Sequence, residues 1–270
     1  MAFTGPEYSL PRRSGETPTS LQNGSPLVDV VRPIETVREP STNRRRPRAQ
    51  PARSESTTAS AIHRLMNVTI ASIGLVAAAP VMFVFAAIVK LTSPGPIFYT
   101  QARIGIDRRR NTRGQGPYDR RTRDLGGQPF MILKFRTMRA DAEKAGPVWA
   151  VQRDARVTAV GRIMRKYRID ELPQLINVLR GDMNIVGPRP ERPGIFSRLC
   201  DDIADYPLRQ RAKPGITGWA QVNQAYDTSI DDVRSKVRYD LEYLARQGVA
   251  EDLKIMARTV PVMLFRRGGW

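Results

Sequence analysis

The sequence predicts a mainly helical α/β fold with a small sheet, carried on a membrane-embedded N-terminal helix. Three observations lead there. Residues 65–89 form one apolar run without a charge, two strand-like runs follow it, and from residue 157 onward apolar residues recur mostly at helical spacing.

The 270 residues carry 44 Lys and Arg against 26 Asp and Glu, a formal net charge of +18, with one Cys and one His. That length and an apolar content of 41 % suffice for a sizeable core. Cys200 and His63 standing alone exclude a disulfide scaffold, a zinc finger and a Cys/His nucleophilic pair. A Ser-His-Asp triad would need His63 itself as the base. Chemistry must therefore run on carboxylates, basic groups and hydroxyls. The excess of Arg predicts an anionic partner: nucleic acid, an anionic membrane surface or a phosphorylated substrate.

Residues 1–60 are rich in Pro, Ser and Thr, hold few aliphatic residues and show no sustained period. Such a segment buries too little apolar surface to offset its ordering entropy, and it reads as a disordered cytosolic tail. Its run Arg44, Arg45, Arg46, Arg48 and Arg53 either meets anionic lipid or nucleic acid, or is simply solvated. The first apolar run lies far from Met1, which argues against a secretory signal.

Residues 61–92 read as the membrane element. As a straight helix, residues 65–89 would reach roughly 37 Å, enough for a hydrocarbon core near ~30 Å. Pro80 lies inside the run, removes one backbone donor and predicts a break or kink near Ala79-Pro80. Arginines precede the run up to Arg64 and follow it at Arg103, Arg108, Arg109 and Arg110, so the positive-inside rule places both flanks in the cytoplasm. A helix that enters, turns at Pro80 and leaves on the same side satisfies both observations. An ordinary span with a proline kink is the alternative.

Residues 93–270 read as a cytosolic domain. Ser93-Pro94-Gly95-Pro96 is a turn and residues 97–99 a short strand. Residues 107–124 form an Arg-rich, aperiodic basic loop, and residues 128–138 a second strand-like run. Helical patterns are expected over 141–146, 157–167, 172–179, 195–206, 230–246 and 252–265, the last amphipathic enough to lie at a membrane interface or on the domain.

The densest constellation of chemical groups is residues 165–190. Leu172, Leu175, Ile176 and Leu179 fall on one helix face, Asp170 stands at the expected N-cap, Glu171 and Pro173 fit the first turn, and Gly181 fits the stop. On pattern alone, Asp170 could merely cap and Glu171 merely complement the helix dipole. The adjoining Arg165, Lys166 and Arg168 change that balance: the cluster should keep Asp170 ionised and attract phosphate. An ionised aspartate can attack phosphorus or bind Mg²⁺. Val186-Gly187-Pro188-Arg189-Pro190 holds one arginine between two prolines, which serves either anion binding or a rigid turn. The segment 213–221 is rich in turn residues and contains Trp219.

Four blocks together, SPGPIFYTQARIG, KFRTM, RIDELPQLINVLRGDMNIVGPRP and KPGITGWAQVN, resemble the catalytic domain of the bacterial sugar transferases, the monotopic polyprenyl-phosphate phosphoglycosyl transferases. The resemblance covers roughly residues 62–266. It implies transfer of a sugar 1-phosphate from a nucleotide diphosphate sugar, a UDP-sugar by expectation, to polyprenyl phosphate such as undecaprenyl phosphate, with release of UMP. This would be the first membrane step of exopolysaccharide or glycoconjugate assembly, at the cytoplasmic face of the bacterial inner membrane. By the resemblance, Asp170 is the nucleophile forming a phosphosugar-aspartyl intermediate and Glu171 its partner. Arg165 contacts the lipid phosphate, Arg189 the donor phosphate, and Lys134 and Arg136 belong to the same pocket. Mg²⁺ would bridge Asp170 and the diphosphate, neutralising transition-state charge.

The resemblance also implies a re-entrant helix broken at a Ser-Pro pair, which is Ala79-Pro80 here; the basic loop 107–124 is longer than in minimal members. Implied partners are the sugar nucleotide, polyprenyl phosphate and membrane lipids, with no nucleic acid; no residue assigns the sugar or an oligomeric state. A conventional glycosyltransferase would instead release UDP. A catalytically inert basic membrane protein has only the charge and the tail in its favour.

Overall fold

The computed structural model describes residues 57–107, 127–139, 141–142, 154–224 and 229–265. The basic run at 44–53, nearly all of the proposed tail and the basic loop beyond Asp107 lie outside these residues.

Helix α1 (Thr57–Thr92) opens the described chain, so the last four residues assigned to the tail are helical. Of the break or kink that the sequence predicts near Ala79-Pro80, the break is absent: the helix continues through Pro80. One lost donor and a ring clash are local costs that a helix absorbs without ending. Ile73, Val76, Phe83 and Leu91 are widely exposed along it. By length and composition α1 is a membrane candidate, and it is the sole such helix among the described residues.

Strands β1 (Phe98–Ile104) and β2 (Pro129–Phe135) pair antiparallel, Phe98 opposite Phe135 and Ile104 opposite Pro129. β1 is longer than the run read from sequence because its second half pairs with β2 and ends on the fully buried Ile104. Helix α2 (Ala159–Lys166) is capped by Thr158, whose hydroxyl accepts from the Gly161 amide. A 3-10 helix (Ile169–Glu171) and α3 (Gln174–Arg180) follow. Asp141 lies in a turn where a helix start was expected, and the rest of that predicted helix is outside the described residues.

β3 (Asn184–Val186) and β4 (Gly215–Thr217) form a second, parallel pair. The two turn-like segments of the sequence thus become a paired unit, with Gly187 and Gly215 so close that a Cβ on either would meet the other segment's backbone. Between them run α4 (Pro193–Asp202) and a 3-10 helix (Tyr206–Arg211). The short α5 (Trp219–Asn223), α6 (Ile230–Arg246) and α7 (Val249–Phe265) complete the described residues. α6 begins with a capping box in which Ser229 and Asp232 satisfy each other's amides. The fold is therefore mostly helical with a small β component, divided into two pairs.

One face of α1 is part of the core. Arg64 donates from Nη1 to the Val178 carbonyl at 2.6 Å and from Nη2 to the Leu179 carbonyl at 2.7 Å, capping the last turn of α3. Asn67, fully buried, donates to the His63 carbonyl and accepts from the Ile185 amide at 2.7 Å. His63 Nε2 lies 2.6 Å from Asp252 Oδ2 in α7, and Tyr243 donates to the other oxygen of that carboxylate. Near the other end of α1, Val89 packs with Phe135 and Met164, joined by Met82, Phe85 and Ala86. The same domain therefore grips α1 at residues 63–71 and again at 82–89.

Candidate active site

The carboxylate pair is placed by an unusual backbone turn. Arg168 adopts a left-handed conformation, φ 58°, the single non-glycine residue with positive φ among those described. For a long side chain this conformation is costly, and such strain concentrates at functional sites. It sends Ile169, Asp170 and Glu171 round a 3-10 turn before Pro173 opens α3. Asp170 is therefore not an N-cap: Pro173 occupies that place and makes no side-chain cap. The predicted stop holds, with Gly181 at φ 89° receiving the end of α3.

Glu171 is the hub. Lys134 Nζ and Arg189 Nη2 each lie 2.8 Å from its Oε1, and Arg168 Nη1 lies at 3.7 Å. Burial alone would raise its pKa, yet Arg189, Lys134 and Arg168 hold it well below the ordinary carboxylate range. Asp170 differs. Its Oδ1 is buried with no hydrogen-bond partner, and burial followed by the neighbouring Glu171 charge raises its pKa against the pull of Lys134, Arg165 and Arg168. The shift runs opposite to the lowering that the surrounding cations alone would produce. The cations neutralise Glu171, which leaves Asp170 as the under-solvated carboxyl.

Of the four cations expected around phosphate, Lys134 and Arg189 converge on Glu171. Arg165, in the last turn of α2, donates from Nε to Thr137 Oγ1 at 2.9 Å and sits close enough to influence Asp170. Arg136 points elsewhere. It is buried and donates to the carbonyls of Ser93 and Pro94 at 2.7 and 2.6 Å, fastening the chain that leaves α1. Pro80 lies in α1, outside this cluster.

The loop after β3 aims Arg189. Gly187 donates to the Thr217 carbonyl, Gly215 donates to the Pro188 carbonyl, and Arg103 donates to the Pro190 carbonyl. Arg209 supplies a further brace that sequence reasoning missed. Fully buried, it pairs with Asp240, donates to the Tyr206 hydroxyl and donates from Nη2 to the Arg189 carbonyl at 3.0 Å. A signal existed: Asp240 continues the buried stripe of Val233 and Val237 on α6, a carboxylate on an apolar face that requires a partner.

Among the described residues no group of three or more His, Cys, Asp or Glu side chains could hold a metal. Mg²⁺ does not need such a cage, since it is commonly held by one or two carboxylates plus substrate phosphates. The orphaned Asp170 oxygen fits that requirement, whereas Glu171 is already taken by cations.

Residues 58–266 match the family described as "Bacterial sugar transferase". The chain is 37 % identical over 203 residues to the UDP-N-acetylgalactosamine-undecaprenyl-phosphate N-acetylgalactosaminephosphotransferase of Aeromonas hydrophila, covering 75 % of this chain and 44 % of that protein. It is 38 % identical over 203 residues to the UDP-glucose:undecaprenyl-phosphate glucose-1-phosphate transferase of Caulobacter vibrioides, covering 74 % of this chain and 69 % of that one. To the exopolysaccharide production protein ExoY of Sinorhizobium fredii it is 34 % identical over 222 residues, 77 % of this chain and 87 % of that protein. The chain thus spans less than half of the Aeromonas protein and most of ExoY.

Proposed function

The chain belongs to the bacterial sugar transferase family, and from that premise we propose that it moves a sugar 1-phosphate from a UDP-sugar to undecaprenyl phosphate, beginning the assembly of an exopolysaccharide or related glycoconjugate. Relatives whose names state this reaction on two different sugars support the class of donor and the acceptor and leave the sugar open.

The observation that carries the mechanism is the division of labour between adjacent carboxyls. Glu171, charge-saturated, holds Lys134 and Arg189 in place, and Asp170 keeps an oxygen with no partner. An Asp170 oxygen attacks the β-phosphorus of the donor, the bond from that phosphorus to the oxygen bridging it to UMP breaks, and UMP leaves with the electron pair. An oxygen of the polyprenyl phosphate then attacks the same phosphorus and releases the Asp170 carboxylate. A desolvated carboxylate is the stronger nucleophile, and the surrounding cations offset the negative charge of donor and acceptor as they approach. Arg189 would receive donor phosphate and Arg165 the lipid phosphate. Arg136 falls to a supporting part, tying the turn after α1 to the chain that leaves β2. Mg²⁺, when bound, would be held by Asp170 with the diphosphate and would neutralise charge on the leaving phosphate.

The double grip on α1 supports the re-entrant path. Residues 63 and 89 are roughly 39 Å apart along a straight helix, more than the hydrocarbon thickness of ~30 Å. A polar domain fastened to both cannot stand on one side of the membrane while α1 crosses upright. With both flanks cytoplasmic, the exposed apolar face of α1 enters one leaflet and the catalytic domain sits at the inner surface of the cytoplasmic membrane. Helix α7, exposing Leu253, Val260 and Met263, lies at the same interface.

The deciding measurement is a panel of sugar nucleotides offered with undecaprenyl phosphate in detergent and scored by the nucleotide released. UMP is expected; UDP would make the enzyme a conventional glycosyltransferase and overturn the proposal.

A further inference from the structure

Trp219, at the start of α5, is nearly buried, and three cations surround its ring. Arg258 lies 5.0 Å, Arg246 5.3 Å and Lys254 5.6 Å from the ring centroid. Two carboxylates share the neighbourhood. Glu242 accepts from Trp219 Nε1 at 2.9 Å and from Arg246 at 2.7 Å, and Glu251 lies 3.4 Å from Lys254. Three cations thus face two carboxylates, and among the described residues no acidic side chain is within ion-pair distance of Arg258.

Helix periodicity places this surplus charge. Lys254 and Arg258, four residues apart, form a stripe on α7 beside the exposed apolar stripe of Leu253, Ala257 and Val260, while Asp252 and Ile255 face the core. His63 binds Asp252 from α1, so the basic stripe belongs to a helix joined directly to the membrane element. An apolar stripe flanked by cations stacked on an indole complements one kind of partner: acyl chains beneath an anionic headgroup.

We infer that Lys254, Arg258 and the Trp219 ring form a binding site for the phosphodiester headgroup of an anionic phospholipid. The inference rests on the interfacial placement of α7 and adds selectivity to it. Arg258 supplies the uncommitted charge and Lys254 a second donor, while the indole keeps both side chains extended over the headgroup plane. The site is distinct from the Asp170–Glu171 cluster and uses none of its cations.

The test uses the full chain in vesicles, with Trp149→Phe and Trp270→Phe leaving Trp219 as the sole fluorophore. Phosphatidylcholine vesicles carry an equal mole fraction of acyl-brominated phosphatidylglycerol or acyl-brominated phosphatidylcholine. Quenching of Trp219 by the anionic lipid is expected to be at least about twofold greater. Lys254→Gln/Arg258→Gln should bring it down to the phosphatidylcholine level, Lys254→Arg/Arg258→Lys should restore it, and UMP release should continue in detergent. Arg198→Gln/Arg234→Gln, which removes the same charge from exposed positions elsewhere, should leave the excess intact.

Persistence of the excess in the double glutamine variant, its equal loss in the control, or its abolition by inorganic phosphate would overturn the site. Equal quenching by both lipids in the parent would overturn the selectivity while α7 stays interfacial. Quenching by neither would remove α7 from the membrane surface altogether.

Discussion

Arg209 donates to the main-chain carbonyl of Arg189 at 3.0 Å, so a guanidinium with no exposure fixes the backbone of another whose own guanidinium reaches Glu171. Arg209 touches no reacting group in the proposed scheme; it is a positioning residue. Its pKa is raised above the usual arginine value, burial working against it while Tyr206, Asp240 and Glu191 favour the charge.

Arg209→Lys keeps the charge and loses the fork that serves Asp240, Tyr206 and the Arg189 carbonyl together. The expected result is a folded protein with raised KM for the sugar nucleotide and a smaller change in kcat. Asp240→Asn leaves the buried guanidinium unpaired and should cost about 3–5 kcal/mol of stability, read by thermal melting in detergent. An unchanged KM in the lysine variant would leave Arg209 as a core ion pair without influence on the site.

Asp170→Asn should abolish UMP release and prevent any covalent phosphosugar adduct, and it should also stabilise the protein near neutral pH. The sign follows from the raised pKa. Between the ordinary aspartate value and the raised folded value the native state holds a proton that the unfolded chain releases, so stability falls as pH rises through that window. The gain from asparagine should therefore vanish in acid, below the ordinary aspartate range, and be complete above the folded value. Melting curves of both proteins across that range check it.

Glu171→Gln should act in the opposite direction. Its lowered pKa means that Glu171 stabilises the native state above the ordinary glutamate value and ceases to do so as pH falls through the folded one. Glutamine leaves Lys134 and Arg189 without their anion, at a cost on the order of 3 kcal/mol, with a severe loss of rate. A wild-type rate would deny Glu171 any part in the site.

Turnover that depends on the Asp170 carboxylate should rise with pH through a pKa raised from the ordinary aspartate value, seen in kcat/KM for the donor. A profile flat from acid to neutral pH would remove the ionisation of Asp170 from the mechanism.

Single cysteines near positions 60 and 100, in a chain with Cys200 replaced by serine, should be labelled from the same side of the membrane. Labelling from opposite sides would reject the re-entrant path. Asn67→Ala tests the grip itself: the buried Ile185 amide loses its acceptor, and about 1–3 kcal/mol of stability should go with it.

Much of this was legible in the sequence, for identifiable reasons. α6 occupies Ile230–Arg246 as its long apolar period predicts, and Gly181 ends α3 where its conformational freedom is needed. That Lys134, Arg168 and Arg189 gather on Glu171 agrees with the clustering of carboxylates and cations over residues 165–190 in the sequence. Three things were not readable. β3 and β4 have three residues each, too few for a period, and their flanking Gly and Pro read as turns. The left-handed turn at Arg168 has no local signature, so Asp170 looked like a cap. Side-chain direction was also hidden: Lys134 lies in β2 and Arg136 just past its end, two residues on in sequence, yet one reaches Glu171 and the other the carbonyls after α1.

The bond between His63 and Asp252 joins residues 189 positions apart. At cellular synthesis rates of about 5–20 residues per second, roughly 10–40 s separate the two ends of that latch. α1 therefore leaves the ribosome with His63, Arg64 and Asn67 lacking the tertiary partners they will later bind. Those partners, Val178, Leu179, Ile185 and Asp252, all lie in the later part of the chain, so the interior face of α1 is completed last. A chain begun after residue 92 would lack the cap on α3 and the acceptor for Ile185, so the rest of the domain depends on α1 for part of its own hydrogen bonding.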